Sequence, residues 1–373
     1  VVYHLESDAF GGVERHLITL LKHLDRRRFE PVVLGQAPDA LRRDLTDLEV
    51  EMVSLPEITS KWDWRAWKAS LGAVRRLRPD VYHGMQSHSF SGQYALASAV
   101  IARVPLVIVT NHMPTPSSNR RQAWLGTLLR RGVDLQIVPG EWTRSELGRM
   151  GQLARHTVVV HQLIEKPDFV ARARAREILG VDPDATVVGG LMRLEAYKRP
   201  DLVVELARTV PGVTVVLFGD GPERNALVKL ADGTDVVLTG FMADANRYVR
   251  ALDVFVHPCP ADNQPLAVLE AMVGGVPVVV ADEGGSATMV DHERTGLLAE
   301  ATSEGMSEAV NRLLVDESLA AHLAAAGAAK VQSECDPRSV ARRVEALYEQ
   351  GSRSDDTPGT SQARESFMEQ DRG

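Results

Sequence analysis

The chain has 373 residues, with 42 basic against 50 acidic side chains and a formal net charge of −8. That length, with 44% hydrophobic residues, suffices for two domains with separate cores, and the acid excess excludes the whole-chain basic surplus of a nucleic-acid binder. Two cysteines, Cys259 and Cys335, are too few for a disulfide framework, and the best apolar run, 95–109, is broken by Arg103 and Pro105 short of the roughly 18 residues that a membrane span needs.

The cysteines read as buried small hydrophobes in a reducing, cytoplasmic setting. The chain opens without Met in strand-like sequence, so a residue or two is expected ahead of it, with no signal peptide. Strands are predicted near 1–6, 30–35, 50–55, 79–85, 106–110, 135–139 and 157–161. Helices are predicted over 12–24, 62–77, 90–102, 120–131 and 142–150, where apolar residues such as Leu17, Leu20, Leu21 and Leu24 recur at helical spacing. A basic helix over 171–179 leads into further strands at 186–191, 213–219, 236–240, 254–257, 276–281 and 295–298. Such alternation predicts parallel sheets covered by helices, in two doubly wound halves joined near 162–170 with a cleft at the carboxyl ends of their strands. The expected divisions are a first domain over 1–164, a second over 165–335, a helix over 336–350 and a polar, disordered tail over 351–373.

The chemistry concentrates between Asp253 and Glu300. An apolar strand, a polar turn, a short helix and Gly-Gly precede a strand so rich in valine that both its faces are expected to be buried. Pro265 opens the helix, Asn263 or Gln264 is expected to cap it, and the amides of Leu266 and Ala267 are expected to point out of its start, where anions are attracted. Glu270 stands off the apolar stripe, expected to face outward, and Asp262 precedes it by eight positions. Amides for phosphate beside carboxylates for hydroxyls predict a ligand bearing both groups, such as a sugar nucleotide.

Other segments add to this. Gly11 and Gly12 follow the first strand and open the first helix, letting backbone approach a ligand, with Glu14 and Arg15 read equally as an exposed first-turn pair. Arg193 and Lys198, past the strand at 186–191, would neutralise charge on a departing diphosphate, the part a metal often plays; a solvated charged loop is the plainer alternative. The turn 218–222 lacks the third glycine of a dinucleotide fingerprint, because Asn225 and Ala226 stand there, which disfavours a nicotinamide enzyme. His112 ends a first-domain strand and is expected to point into the cleft, whereas His83 and His88 are candidates for structural roles. Asp182 and Asp184 have metal-pair spacing but read as a turn around Pro183, and no metal is expected. The helix over 120–131, with Trp124, Leu125, Leu128 and Leu129 among arginines, is expected to pack on the sheet with its arginines in water; docking on an anionic membrane is the second reading.

The stretch from Asp262 to Val279, D-N-Q-P-L-A-V-L-E-A-M-V-G-G-V-P-V-V, resembles the retaining glycosyltransferases of family 4, the group 1 enzymes akin to glycogen synthase and mannosyltransferases, which read close to E-G-F-G-L-V-x-L-E-A-M-A-x-G-x-P-V-V there. Glu270 matches the second glutamate, Asp262 stands for the first, and Asn263, Gln264 and Pro265 replace G-F-G, a departure that bears on donor identity. Gly11 to Arg15, Arg193 to Lys198, Gly219 to Pro222 and Thr239 to Met242 also resemble family segments, with Arg199 in place of a usual glycine. The resemblance implies an α/β GT-B fold of two Rossmann-like domains facing a central cleft, acceptor-side first and nucleotide-sugar-binding second, with the helix over 336–350 crossing back to the first. It further implies that Arg193, Lys198 and the amides around Leu266 hold the donor diphosphate, Glu270 the ribose and Asp262 the donor sugar. His112 would lie near the reacting sugar, with Gly11 and Gly12 lining the cleft. Gly219, Phe241, Met242, Asn263, Gln264, Pro265 and Ala267 complete the donor site. Where the family shows N-G-V-D, the chain has His161-Gln162-Leu163-Ile164, in a loop expected at the cleft.

The expected function is transfer of a sugar from a nucleoside diphosphate donor, UDP- or GDP-linked, to a hydroxyl of a cell-envelope glycan, a lipid or a small natural product. Configuration is retained, without metal or cofactor, by a cytoplasmic protein with peripheral membrane contact through 120–131 as an option. A nucleotide-sugar 2-epimerase and a non-catalytic sugar-nucleotide binder are the alternatives.

Overall fold

A computed structural model describes residues 1–6, 11–57 and 63–353. The tail beyond 353 and parts of two predicted segments, Ala9-Phe10 and the start of the helix at 62, lie outside the described residues. The chain divides into unit 1 (Val1–Val138, Leu147–Val160 and Arg338 onward) and unit 2 (Pro139–Glu146 and His161–Pro337).

Unit 1 is built from β1 (Val2–Glu6), α1 (Gly12–His23), β2 (Val32–Gln36), α2 (Asp39–Asp47), β3 (Glu51–Ser54), α3 (Trp64–Leu77), β4 (Val81–Gln86), α4 (Gln93–Ile101), β5 (Leu106–Asn111), α5 (Arg120–Arg130), β6 (Leu135–Val138), α6 (Glu141–Arg149, whose first turns cluster with unit 2) and β7 (Thr157–Val159). All pairings are parallel, in the order β3-β2-β1-β4-β5-β6-β7. The order reverses between β1 and β4, and loops at such a reversal part to leave a crevice at the carboxyl edge.

Across that edge runs a buried chain of amides. Asn111 donates to Gln86 Oε1 at 2.6 Å, Gln136 donates to Asn111 Oδ1, and Gln136 Oε1 accepts from the Ala154 amide at 2.7 Å and the Thr157 hydroxyl at 3.0 Å. Gln86 donates onward to the Ser91 carbonyl at 3.0 Å.

Unit 2 contains α7 (Arg172–Leu179), β8 (Thr186–Leu191), α8 (Pro200–Thr209), β9 (Val213–Phe218), α9 (Arg224–Leu230), β10 (Val236–Gly240), β11 (Val254–His257), α10 (Leu266–Val273), β12 (Val278–Ala281), α11 (Gly284–Ala287), β13 (Leu297–Ala299), α12 (Ser303–Val315) and α13 (Glu317–Glu334). Short 3-10 turns cover Ala196–Lys198 and Ala245–Ala251. Its parallel sheet runs β10-β9-β8-β11-β12-β13, reversing between β8 and β11. Alternate strand residues feed two cores: Val187, Val216, Val278 and Val280 pack with Leu269 and Met272 of α10, while Val188, Val215, Val256 and Val279 pack with Val203 of α8 and Val310 of α12. The valine-rich β12 is buried along its whole length, as its composition predicts.

The last helix, α14 (Pro337–Arg353), belongs to unit 1 from Arg338 onward and extends three residues into the stretch expected to be a disordered tail. Its Tyr348 hydroxyl donates to Tyr3 at 3.0 Å and sits 2.7 Å from His83 Nδ1; His83 Nε2 lies 2.7 Å from Thr110 Oγ1. Burial pushes the His83 imidazole down to about 3 and the nearby His16 adds to this, so His83 serves as a neutral link in a packed network, the structural role expected of it.

Candidate functional site

The loops leaving β8 and β11, at 192–199 and 258–265, flank the reversal of the unit 2 sheet. Two close approaches of backbone shape them. Gly219 has φ +129° and a Cβ there would lie 1.9 Å from the Met192 carbonyl; at Gly221 it would lie 2.5 Å from that of Leu194. The glycines after β9 thus seat the loop that carries Arg193. On the other side, Gly285 is so close to Asn263 that a Cβ would come 2.2 Å from its carbonyl oxygen, and its amide donates to the Asp262 carbonyl at 2.8 Å.

This seating brings Lys198 Nζ to 2.5 Å from Asp262 Oδ2, and His257 Nε2 to 3.2 Å from the same oxygen. A carboxylate only accepts, so His257 donates through Nε2, while its buried Nδ1 has no hydrogen-bond partner among the described residues. Burial alone would push the Asp262 carboxyl up, but the hydrogen bond from His257 and the charge of Lys198 outweigh it and hold Asp262 well below the usual 3.8. Burial likewise opposes the Lys198 charge, and Asp262 reverses the balance, raising Lys198 above its usual 10.5.

His257, Cys259 and Asp262 place three ligand atoms within 4.8 Å of one another, the one potential metal cluster among the described residues. The Lys198 ammonium already supplies a cation to that carboxylate, and burial pushes the Cys259 thiol up to about 11, away from the thiolate a metal requires. Neither residue stood out from spacing, although a histidine closing a buried strand and preceding Pro-Cys was the available signal.

The other expected site residues are distributed as follows. Arg193 is not fixed as Lys198 is: its side chain is 65% exposed and pairs with Glu195 at 3.0 Å. Arg199 adopts φ +54°, which accounts for glycine being usual at that place, and is held by Asp201. Neither Asn263 nor Gln264 caps α10; Pro265 is the N-cap, and Asn263 Oδ1 instead accepts from Thr143 Oγ1 at 2.5 Å. Leu266 and Ala267 stand half-buried at the helix start. Glu270 does not face outward: it is buried and accepts from Asn246 Nδ2 at 2.6 Å. Phe241 is 80% exposed at the end of β10, while Met242 packs against the core. Leu163 and Ile164, in the loop expected at the cleft, are buried, the latter in the unit 2 core. Asp182 accepts from the Asp184 amide at 2.8 Å, forming the expected turn.

In unit 1, the Gly11 amide donates to Glu14 Oε2 at 2.7 Å. Glu14 is therefore a buried cap rather than an exposed partner of Arg15, and its carboxylate takes an amide that was expected to face a ligand. His112 is buried against the His16 ring, with centroids 4.9 Å apart, and burial followed by the neighbouring His16 and His83 pushes it well below 6.5, so it is neutral. A recess of about 310 Å³ opens at the carboxyl ends of the strands, lined by Glu6, Gln36, Glu57, Ser70, His88 and Tyr94 among others. Among the described residues it has two carboxylates and no lysine or arginine, and the Ser70 hydroxyl there has no hydrogen-bond partner among them.

Residues 182–316 match the family model of glycosyl transferases group 1, and residues 10–165 that of glycosyltransferase family 4. The sulfoquinovosyl transferase SQD2 of Arabidopsis thaliana is 27% identical over 61% of this chain and 47% of its own, so the chain spans about half the length of that relative. The lipopolysaccharide core biosynthesis mannosyltransferase LpsB of Rhizobium meliloti is 28% identical over 79% of this chain and 85% of its own. The structure of HepE from Anabaena in complex with UDP superposes with a TM-score of 0.81 over 94% of this chain and 99% of that one, at 20% identity, which shows a shared GT-B fold.

Proposed function

Because the chain belongs to the group 1 glycosyltransferases of the family 4 type, we propose that it transfers a glycosyl residue from a nucleoside diphosphate sugar, UDP- or GDP-linked, to a hydroxyl acceptor with retention of configuration and without a metal. One observation carries the reading: a partly buried lysine, Lys198, and a buried carboxylate, Asp262, meet at the sheet reversal of unit 2, beside the start of α10. An ammonium has three protons, and Asp262 engages one, leaving others for phosphate oxygens. Lys198, aided by Arg193 and the amides at Leu266 and Ala267, stabilises charge on the departing diphosphate. Asp262, kept ionised, accepts from donor-sugar hydroxyls, and Glu270 accepts from the ribose. Gly219 lets backbone approach the nucleotide, and the segment of Phe241 and Met242 receives the base. On the leaving oxygen, the breaking glycosidic bond deposits the negative charge that takes the acceptor's proton. His112, being neutral, orients a sugar hydroxyl near Gly11 and Gly12 rather than carrying charge.

The recess of unit 1 is the acceptor site in this reading. Its carboxylates suit a polyol and repel a phosphorylated headgroup. The names of SQD2 and LpsB, a sulfoquinovosyl and a mannosyl transferase, support sugar transfer, and the UDP complex of HepE supports a nucleotide donor. The test is to titrate UDP- and GDP-sugars, then to incubate the tightest with candidate acceptors in chelator and assign the anomeric configuration by NMR. A product of inverted configuration, a strict metal requirement, or conversion of the donor with no acceptor present would refute it.

A further inference from the structure

Helix α5 has its apolar stripe on the outside. Arg121, Trp124, Leu125, Leu128 and Arg131 recur at i, i+3, i+4, i+7 and i+10, the spacing of one helix face, and Trp124 is 67%, Leu125 40% and Leu128 47% exposed. On the opposite side Gly126 is buried, and a Cβ there would meet the Phe90 ring at 3.0 Å. The expectation that the stripe packs on the sheet holds only for Leu129, which is half-buried against the unit 1 core; Trp124, Leu125 and Leu128 face outward, and Gly126 makes the close approach. The surface extends sideways. Arg130 donates to the Gly151 carbonyl at 3.3 Å, bringing in the loop of exposed Leu153, and Gly132 packs on Val100, next to the half-exposed Ile101.

The charge around this patch is one-sided. Between Asp80 and Asp134 the sequence has no acidic residue and five arginines, Arg103, Arg120, Arg121, Arg130 and Arg131, in a chain whose net charge is −8. Exposed Arg155 lies two residues after Leu153. A second copy of the chain fits poorly, because a symmetric contact through this face would set Arg121 and Arg131 against the same arginines. A surface with anionic headgroups over an apolar interior fits both properties at once: arginines reach the headgroups while tryptophan and leucines enter the acyl boundary, and helices with this segregation lie in the interfacial plane.

We propose that the α5 face docks unit 1 on an anionic lipid surface. This docking is independent of the sugar-transfer reading, since none of its residues belongs to the donor site or the recess. The test sediments the full chain with phosphatidylcholine vesicles, with and without phosphatidylglycerol. Binding is expected only to the anionic vesicles, falling with added salt, and roughly tenfold or more weaker in Trp124→Ser/Leu128→Ser and in Arg121→Gln/Arg131→Gln. These positions are exposed, so both variants should melt as the wild type does, and a donor-binding titration should remain unchanged. Absence of binding, equal binding to neutral vesicles, full binding by either variant, or self-association abolished by Trp124→Ser would each overturn the proposal, the last by assigning the face to a second copy.

Discussion

Lys198 and Asp262 are 64 positions apart in sequence and 2.5 Å apart in the structure, joined where strands β8 and β11 deliver their loops to the same crevice. The contact uses one oxygen of a carboxylate that His257 also engages, so the lysine is held by a partner that is itself oriented. Lys198→Ala removes the cation and is expected to lower kcat by roughly tenfold to a thousandfold, the usual loss when a group stabilising developing charge is deleted. Initial rates at saturating donor would show this; unchanged turnover would remove Lys198 from the reaction.

The pair should be invariant over the middle of the pH range. Asp262 is depressed below 3.8, so its stabilising contribution is present above that value and fades only as pH falls toward its folded pKa. Lys198 is raised above 10.5, so its contribution is present below that value and fades only as pH rises past it. His257→Leu removes one of the two groups that offset burial and should move the acid limb of kcat/KM upward, whereas His257→Gln, which keeps an N-H donor, should leave it near the wild-type position. An unmoved limb in His257→Leu would show that His257 does not set the ionisation of Asp262.

Acid should weaken unit 1 well before it reaches Asp262. His4, His83 and His112 are all pushed down by burial, His4 to about 4 and His83 to about 3, so the unfolded chain binds protons more readily below 6.5. Their contribution is complete above 6.5 and is lost as pH falls toward those folded values. Denaturant midpoints measured from neutral pH downward should therefore fall; a flat profile would contradict neutral burial of these rings.

Tyr348→Phe tests how α14 is held. Its hydroxyl links Tyr3 and His83, and deletion leaves buried polar atoms short of a partner at a cost of about 1–3 kcal/mol by equilibrium unfolding. A loss below a few tenths would mean that water replaces the hydroxyl.

Two glycines with positive φ should behave differently. Gly219→Ala drives a methyl into the Met192 carbonyl and should cost more than about 2 kcal/mol. Gly180→Ala, at φ +68° with open space around it, should cost about 1 kcal/mol for backbone strain alone. Equal losses in unfolding titrations would show that the loop yields to the methyl.

Much of the fold was legible because buried parallel strands announce themselves: β8, β10 and β11 occupy the bounds that their valine runs predict. Helix α2 escaped prediction because only Leu41 and Leu45 mark its inner face in a polar segment. At the site, Asp262 and Lys198 stood out by residue type, but their union depends on which strands are neighbours, and no local pattern encodes that. Asn263 or Gln264 was expected to cap the helix that follows, yet Asn263 bonds to Thr143, 120 positions away, a partner beyond any local rule. The role of Glu14 was readable in retrospect, since a glutamate at the third helical position commonly reaches back to the residue before the helix.

The amide chain of Gln86, Asn111 and Gln136 has a consequence for folding. Strands buried on both faces lack the inside-outside alternation that penalises a slip, and β5, reading Leu-Val-Ile-Val-Thr-Asn, could slide past its neighbours with little change in apolar burial. A one-residue slip would turn Asn111 away from both glutamines and strand three amides in a dry interior, so this polar thread acts as an alignment key that makes misregistered assembly of β4, β5 and β6 energetically self-defeating.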